Sequence, residues 1–163
     1  MITVFLSYSI KDHFFAELAT LRLAESDVRV WTDRGQLRAG DDWRLGIEHG
    51  INDAVAVLLA LSEHSAESSY VTYEWAYALG KSKTVVPLRL GECTVHPRLE
   101  PIQFLDFSTP DSRPWNLLVE RIREIDADAS VDEETDVLQA EPAPGDAAVT
   151  RQILNYLDQR GYQ

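Results

Sequence analysis

Five short apolar runs, separated by segments of helical spacing, constrain this chain more than any other feature of it. They are ITVFLSY (2–8), VRVWT (28–32), AVAVLLAL (54–61), TVVPLRL (84–90) and IQFLDF (102–107). Each has the length of a strand and is rich in residues that suit a pleated, buried surface. Helices are expected between them over 13–25, 42–53 and 70–81, with a last one over 115–125. Phe14, Phe15, Leu18, Leu21 and Leu23 give the first helix its apolar faces, and Asp12 stands where a cap belongs. Trp43, Ile47 and Ile51 recur at helical spacing in the second, and Ser68 or Ser69 can cap the third.

Strand and helix in this alternation predict an α/β fold: a flavodoxin-like three-layer sandwich around a five-stranded parallel sheet. The first and third runs are the most hydrophobic and belong at the centre, which gives the strand order 2-1-3-4-5. A crevice then opens beyond the carboxyl ends of strands 1 and 3, where the order reverses, and ligands of such folds sit there. Ser7, Tyr8 and Ser9 stand at the end of strand 1, Asp33 and Arg34 at the end of strand 2, and Ser62 to Tyr70 after strand 3.

Charge divides the chain further. Lys and Arg number 15 against 27 Asp and Glu, a net charge of −12, which argues against nucleic acid or an anionic membrane as the main partner. Residues 126–149 hold eight of the acidic side chains and no Lys or Arg. Poor in aromatics and rich in Ala and Pro, this stretch buries too little apolar area to offset its ordering entropy. Residues 1–125 are therefore expected to fold as the domain, 126–146 to be a flexible acidic linker, and 147–163 to form an amphipathic helix. That helix would dock, assemble with a partner, or open a further domain. The single Cys93 rules out an intramolecular disulfide and suits a reducing cytoplasm. No run is long enough to span a bilayer, and the N-terminus lacks the basic leader of a secretion signal.

Several chemistries lack their motifs. There is no P-loop and no dinucleotide-binding G-x-G-x-x-G turn, and Leu61-Ser62 stands where a receiver domain would carry its acceptor carboxylate. No G-x-S-x-G elbow surrounds Ser7 or Ser9, and His13, His49, His64 and His96 show no metal-ligand spacing. One carboxylate stands out: SSYVTYEWAYALGK puts Glu74 near the start of the helix after strand 3, where Tyr70, Glu74 and Tyr77 share a side and Val71, Trp75, Ala78 and Leu79 can face the sheet. A glutamate there also complements the helix dipole, without any further role.

Four strings together carry a resemblance. FLSYS (5–9), DRGQLRAGDDW (33–43), SSYVTYEW (68–75) and FLDF (104–107) follow one another in the order seen in the Toll/interleukin-1 receptor (TIR) domain family, and WTD…LRAGDDW resembles its bacterial and prokaryotic branch. The resemblance covers residues 1–125. It implies that the polar loop matching Asp33 to Asp42 is the family's BB loop, used in assembly, with Arg34, Gly35, Leu37, Gly40 and Asp41 in it. Many TIR domains cleave NAD+ at the nicotinamide–ribose bond with a glutamate in the helix after strand 3, which matches Glu74. Ser7, Tyr8, Ser9, Asp33, Trp43 and Tyr70 would then line or shape the pocket.

The resemblance thus implies an NAD+ glycohydrolase or cyclase in the cytoplasm, activated by TIR–TIR assembly and acting as a prokaryotic antiphage effector. NAD+ would be its substrate, with no separate cofactor and no metal. Its partners would be other TIR domains and a sensor or scaffold bound through the C-terminal segment. Two alternatives stay open: a non-enzymatic TIR adaptor or interference module, and a nucleoside deoxyribosyltransferase-like enzyme, which also sets a glutamate against a sugar on a flavodoxin-like sheet.

Overall fold

A computed structural model describes residues 1–33 and 39–139 of the chain. Arg34, Gly35, Leu37 and the helix expected over 147–163 lie outside the described residues. The apolar runs form β1 (Ile2–Ser7), β2 (Val28–Trp31), β3 (Ala56–Leu61), β4 (Thr84–Arg89) and β5 (Leu105–Asp106). The helices are α1 (His13–Ala24), α2 (Trp43–Asp53), α3 (Glu63–Ala66), α4 (Ser69–Gly80) and α5 (Trp115–Gln139). The strands make one parallel sheet in the order β2-β1-β3-β4-β5, the expected arrangement.

Each face of the sheet carries its own core. Val4 and Leu6 of β1 and Leu58 of β3 pack with Phe15, Ala19 and Leu23 of α1 and with Leu118 and Ile122 of α5. Phe5 of β1 and Val57 and Leu59 of β3 pack on the other side with Ile47 and Ile51 of α2 and with Val71, Trp75 and Ala78 of α4. The period-two alternation of a strand decides which core each residue joins. β3 is buried along its whole length because both faces are covered. At the end of α2, the Lys83 ammonium donates to the carbonyls of Asn52 and Ala54 at 2.7 Å each, supplying a partner for groups a helix end leaves open.

Four local features differ from the sequence pattern. Asp12 precedes α1 but makes no side-chain capping bond, because its carboxylate is engaged elsewhere. α3 is an extra short helix. It is held by a capping box in which the Ser62 and Ser65 side chains each bond the other's backbone N–H. Only Leu105 and Asp106 of the fifth run pair with β4; Ile102 instead closes a turn onto the Leu99 carbonyl. The last helix runs past 125 to Gln139, into the stretch expected to be linker. Of its residues with described burial, Leu118, Val119, Ile122 and Ile125 are buried. Beyond them the helix continues through Ala127, Ala129 and Glu133, which favour it, and through Asp126, Asp128 and Asp132, which do not. The chain divides into compact units Met1–Asp128 and Ala129–Gln163, and the described residues 129–139 of the second are helical.

Two glycines give a stability test of opposite sign. A Cβ on Gly50 of α2 would lie 2.7 Å from the Trp31 ring, and that ring is stacked on Phe5 with centroids 4.9 Å apart. A Cβ on Gly80 meets nothing within 4 Å. Ala gains about 1 kcal/mol over Gly in a helix, whereas overpacking a core costs about 1–3 kcal/mol. Gly80→Ala should therefore raise the urea midpoint and Gly50→Ala lower it. Equal shifts would mean that the indole gives way at no cost.

Candidate functional site

The site begins where β1 ends. Ser7 is wholly buried, and its register partner is Leu59 of β3, so it stands where the two central strands adjoin. Two residues beyond Phe5, it projects to the side of the sheet that α2 and α4 cover. Its Oγ donates a hydrogen bond to Oε2 of Glu74.

Glu74 is 2% exposed. The spacing groups it with Tyr70 and Tyr77, yet the structure turns it inward. At 100° per residue it lies about 60° from Val71 and 40° from Ala78, both buried, and so occupies the inner border of the tyrosine side. A carboxylate taken out of water is costly unless hydrogen-bonded, and the Ser7 hydroxyl supplies one such bond. Among the described residues no buried side-chain nitrogen or oxygen lacks a partner.

An aromatic wall continues from the same helix. Tyr70, one turn before Glu74, is 54% exposed, with its ring centroid 5.0 Å from Trp43 and edge-on to it. Tyr73 meets the same indole at 5.4 Å. Its hydroxyl donates to Oε1 of Glu48 at 2.5 Å, and holding that proton against a carboxylate pushes the phenol above its ordinary range. Tyr77 accepts from Nδ2 of Asn52 at 3.0 Å, so polar bonds along this seam tie α2 to α4. Trp43 is the first residue of α2, and Asp42 caps that helix by accepting the Arg44 N–H at 3.0 Å. The Arg44 guanidinium lies over the Trp43 ring at 4.6 Å.

The structure thus joins Ser7 to Glu74 and Trp43 to Tyr70, with Glu74 and Tyr70 one helical turn apart. The other expected site residues are placed differently. Half-buried Tyr8 packs against the core on the α1 and α5 side. Ser9 caps a short 3₁₀ turn by accepting the Lys11 N–H at 3.4 Å. Asp33 follows β2 and is half-buried, while Gly40, at φ +95°, and Asp41 are exposed.

Sequence reasoning missed one bond at the crevice. Ser62, immediately after β3, donates to Oδ2 of Asp12, beyond the end of β1, at 2.5 Å. The S-x-x-S spacing of 62–65 marks the start of α3, but no local pattern points to a bond 50 positions away in sequence. Trp75 is buried in the core on this side of the sheet, and half-buried Trp31 packs against it. Asp106 accepts from both the hydroxyl and the N–H of Ser108, bonds that hold its carboxyl below the usual range. A cleft of about 360 Å³ runs along the opposite flank of α4, between Trp75 and His96, and neither Ser7 nor Glu74 lines it. Among the described residues no three His, Cys, Asp or Glu side chains gather as metal ligands would, and no helix is long and apolar enough to cross a membrane.

Comparison with known proteins adds the family. The TIR domain family model matches residues 4–121. The chain belongs to the TIR domain family. Its fold is similar to that of the TIR domain of the Toll-related receptor TRR-2 from Hydra magnipapillata, at 19% identity and a TM-score of 0.66, over 74% of this chain and 97% of that one. It is also similar to a prokaryotic SEFIR domain, at 23% identity and a TM-score of 0.58, over 75% of this chain and 98% of that one. Among curated proteins none matches the chain. Within this TIR domain, Glu74 is the buried carboxylate of α4 and the loop before α2 ends at Gly40 to Asp42.

Proposed function

We propose that this TIR domain cleaves NAD+ at the nicotinamide–ribose bond, with Glu74 as the catalytic carboxylate. The observation that carries the reading is the Ser7–Glu74 contact beside β1 and β3, one turn from the exposed ring of Tyr70. Ordinary glycosidases need a second carboxyl group to protonate the leaving oxygen. Nicotinamide in NAD+ is cationic at its ring nitrogen. It takes the electrons of the broken C1′–N1 bond and departs neutral, so no acid is required. The ribose is left with oxocarbenium character, which one fixed anion stabilises. Water then adds at C1′ and gives up a proton, yielding ADP-ribose; capture by one of the substrate's own hydroxyl groups, with loss of its proton, yields a cyclic isomer instead. Tyr70 and Trp43 offer ring faces and edges for a planar base.

Assembly is part of the proposal. A carboxylate 2% exposed has to be uncovered before a ribose reaches it. Contact with another TIR domain, through the loop containing Gly40 and Asp41, supplies the driving force. The role is that of an antiphage effector of the prokaryotic branch, idle until gathered by a scaffold or sensor acting on its C-terminal segment. Turnover per molecule of the full chain should therefore rise steeply with protein concentration. Rate strictly proportional to protein over a hundredfold range would remove assembly from the reading.

The burial of Glu74 also favours a second reading, a TIR module that works through contacts alone. Incubating concentrated full chain with NAD+, and separately with a deoxynucleoside, then resolving the products by chromatography, separates the possibilities. Free nicotinamide that disappears with Glu74→Gln supports the enzyme. Inert NAD+ at every concentration leaves the contact module, and base exchange on the deoxynucleoside would make the chain deoxyribosyltransferase-like.

A further inference from the structure

We propose that Ser7 is a positioning residue for Glu74 and makes no contact with the nucleotide; the inference rests on the reading of Glu74 as catalytic. The Ser7 side chain is wholly buried, and its hydroxyl proton is directed at Oε2 of Glu74. Ser7 is also the last residue of β1, in register with Leu59 on β3, so the central sheet fixes the donor in place. Glu74 has three side-chain torsions, and a flexible carboxylate loses its electrostatic advantage unless something holds it before the charge develops. A hydroxyl donated from a central strand holds one carboxylate oxygen in a fixed place.

The flanking serine shows the contrast. Ser9 uses its oxygen as an acceptor for the Lys11 N–H. Tyr8 joins the core on the other side of the sheet. In S-Y-S, the strand's alternation therefore sends one hydroxyl to the carboxylate of α4, its neighbour to the far core, and leaves the third to cap a turn.

The test uses the full chain at concentrations where the wild type turns over. Ser7→Ala should lower kcat about 10- to 100-fold, the span expected on losing a hydrogen bond to a charged group. KM should stay within about twofold, because ground-state binding of the nucleotide is untouched. Ser7→Thr, which keeps the hydroxyl, should recover most of the turnover, and Ser7→Ala should add little to the defect of Glu74→Gln. A raised KM with kcat unchanged would make Ser7 a nucleotide contact and overturn the proposal. An unchanged kcat would overturn it as well.

A second readout needs no turnover. In protein carrying ¹³C-labelled glutamate, the Glu74 carboxyl resonance is the one lost in Glu74→Gln. It should move in Ser7→Ala and remain near its wild-type position in Ser7→Thr. A resonance that stays put in Ser7→Ala sinks the positioning role. If it moves while the wild type consumes no NAD+, the contact stands and the NAD+ reading is what fails. Should Ser7→Ala not fold, Ser7→Cys takes its place, since a thiol is a weak donor.

Discussion

Glu74→Gln is expected to keep the fold and to lower NAD+ turnover about 10²- to 10³-fold. Two unit charges about 4 Å apart at an effective dielectric constant near 20 attract by about 4 kcal/mol, which corresponds to about 10³ in rate. Gln has the size of Glu and can still accept the Ser7 hydroxyl, so the variant removes the charge while keeping the bulk and that bond. Glu74→Ala is the less informative substitution. It opens a hole beside Val71 and Ala78 and leaves the buried Ser7 hydroxyl without the acceptor it has now. The measurement is nicotinamide release by concentrated full chain, with thermal unfolding run beside it. Equal turnover in Glu74→Gln and wild type would end the catalytic assignment, whereas a collapsed melting transition would show a structural glutamate. The effect is large because the chemistry calls for one anion and no partner acid. The leaving base needs no proton, so nothing in the site compensates for a missing negative charge.

How much of this could be read from residues alone depended on the range of the forces involved. β3 was legible because a run as apolar as AVAVLLAL has to be covered on both faces, and the strand order followed from placing it and β1 at the centre. The loop-to-helix string ending in Trp43 and the Tyr70–Glu74 spacing picked out residues that the structure sets near one another, Trp43 against Tyr70 one turn before Glu74. The orientation of Glu74 was less legible, because a residue at the border of two helical faces is assigned by what packs there. Here that is a hydroxyl from a strand 67 positions away in sequence. Asp12 illustrates the same gap. Its position before α1 reads as a cap, but the structure gives its carboxylate to Ser62, a choice made by the adjacency of β1 and β3 and invisible to local pattern. The extension of α5 has a different reason: low apolar content predicts no packed face, but a helix already nucleated and packed at Leu118 to Ile125 propagates more cheaply than a new one starts.

The largest stability effect is expected at Phe107. The string FLDF contains two phenylalanines with opposite surroundings. Phe107 is wholly buried, with its ring edge-on to Trp115 at 5.0 Å and to Phe15 at 6.0 Å. Its N–H donates to the Arg89 carbonyl at 2.8 Å, and its own carbonyl accepts from Nε of Arg113 at 2.9 Å. These bonds hold in place a strand that pairs with β4 over only two residues. Phe104 is about half exposed, and the Arg89 guanidinium lies 5.4 Å from its ring. Truncating a buried Phe costs about 3–5 kcal/mol, a large share of the roughly 5–15 kcal/mol that holds a domain together. Losing an exposed cation–π pair costs about 0.5–1 kcal/mol. Phe107→Ala should therefore shift the urea midpoint several times further than Phe104→Ala, with the slope of the transition unchanged in both. Comparable shifts would mean that β5 is anchored by its short ladder and that the ring cluster contributes little. A Phe107→Leu variant, which refills most of the volume, should recover much of the loss if packing is the cause.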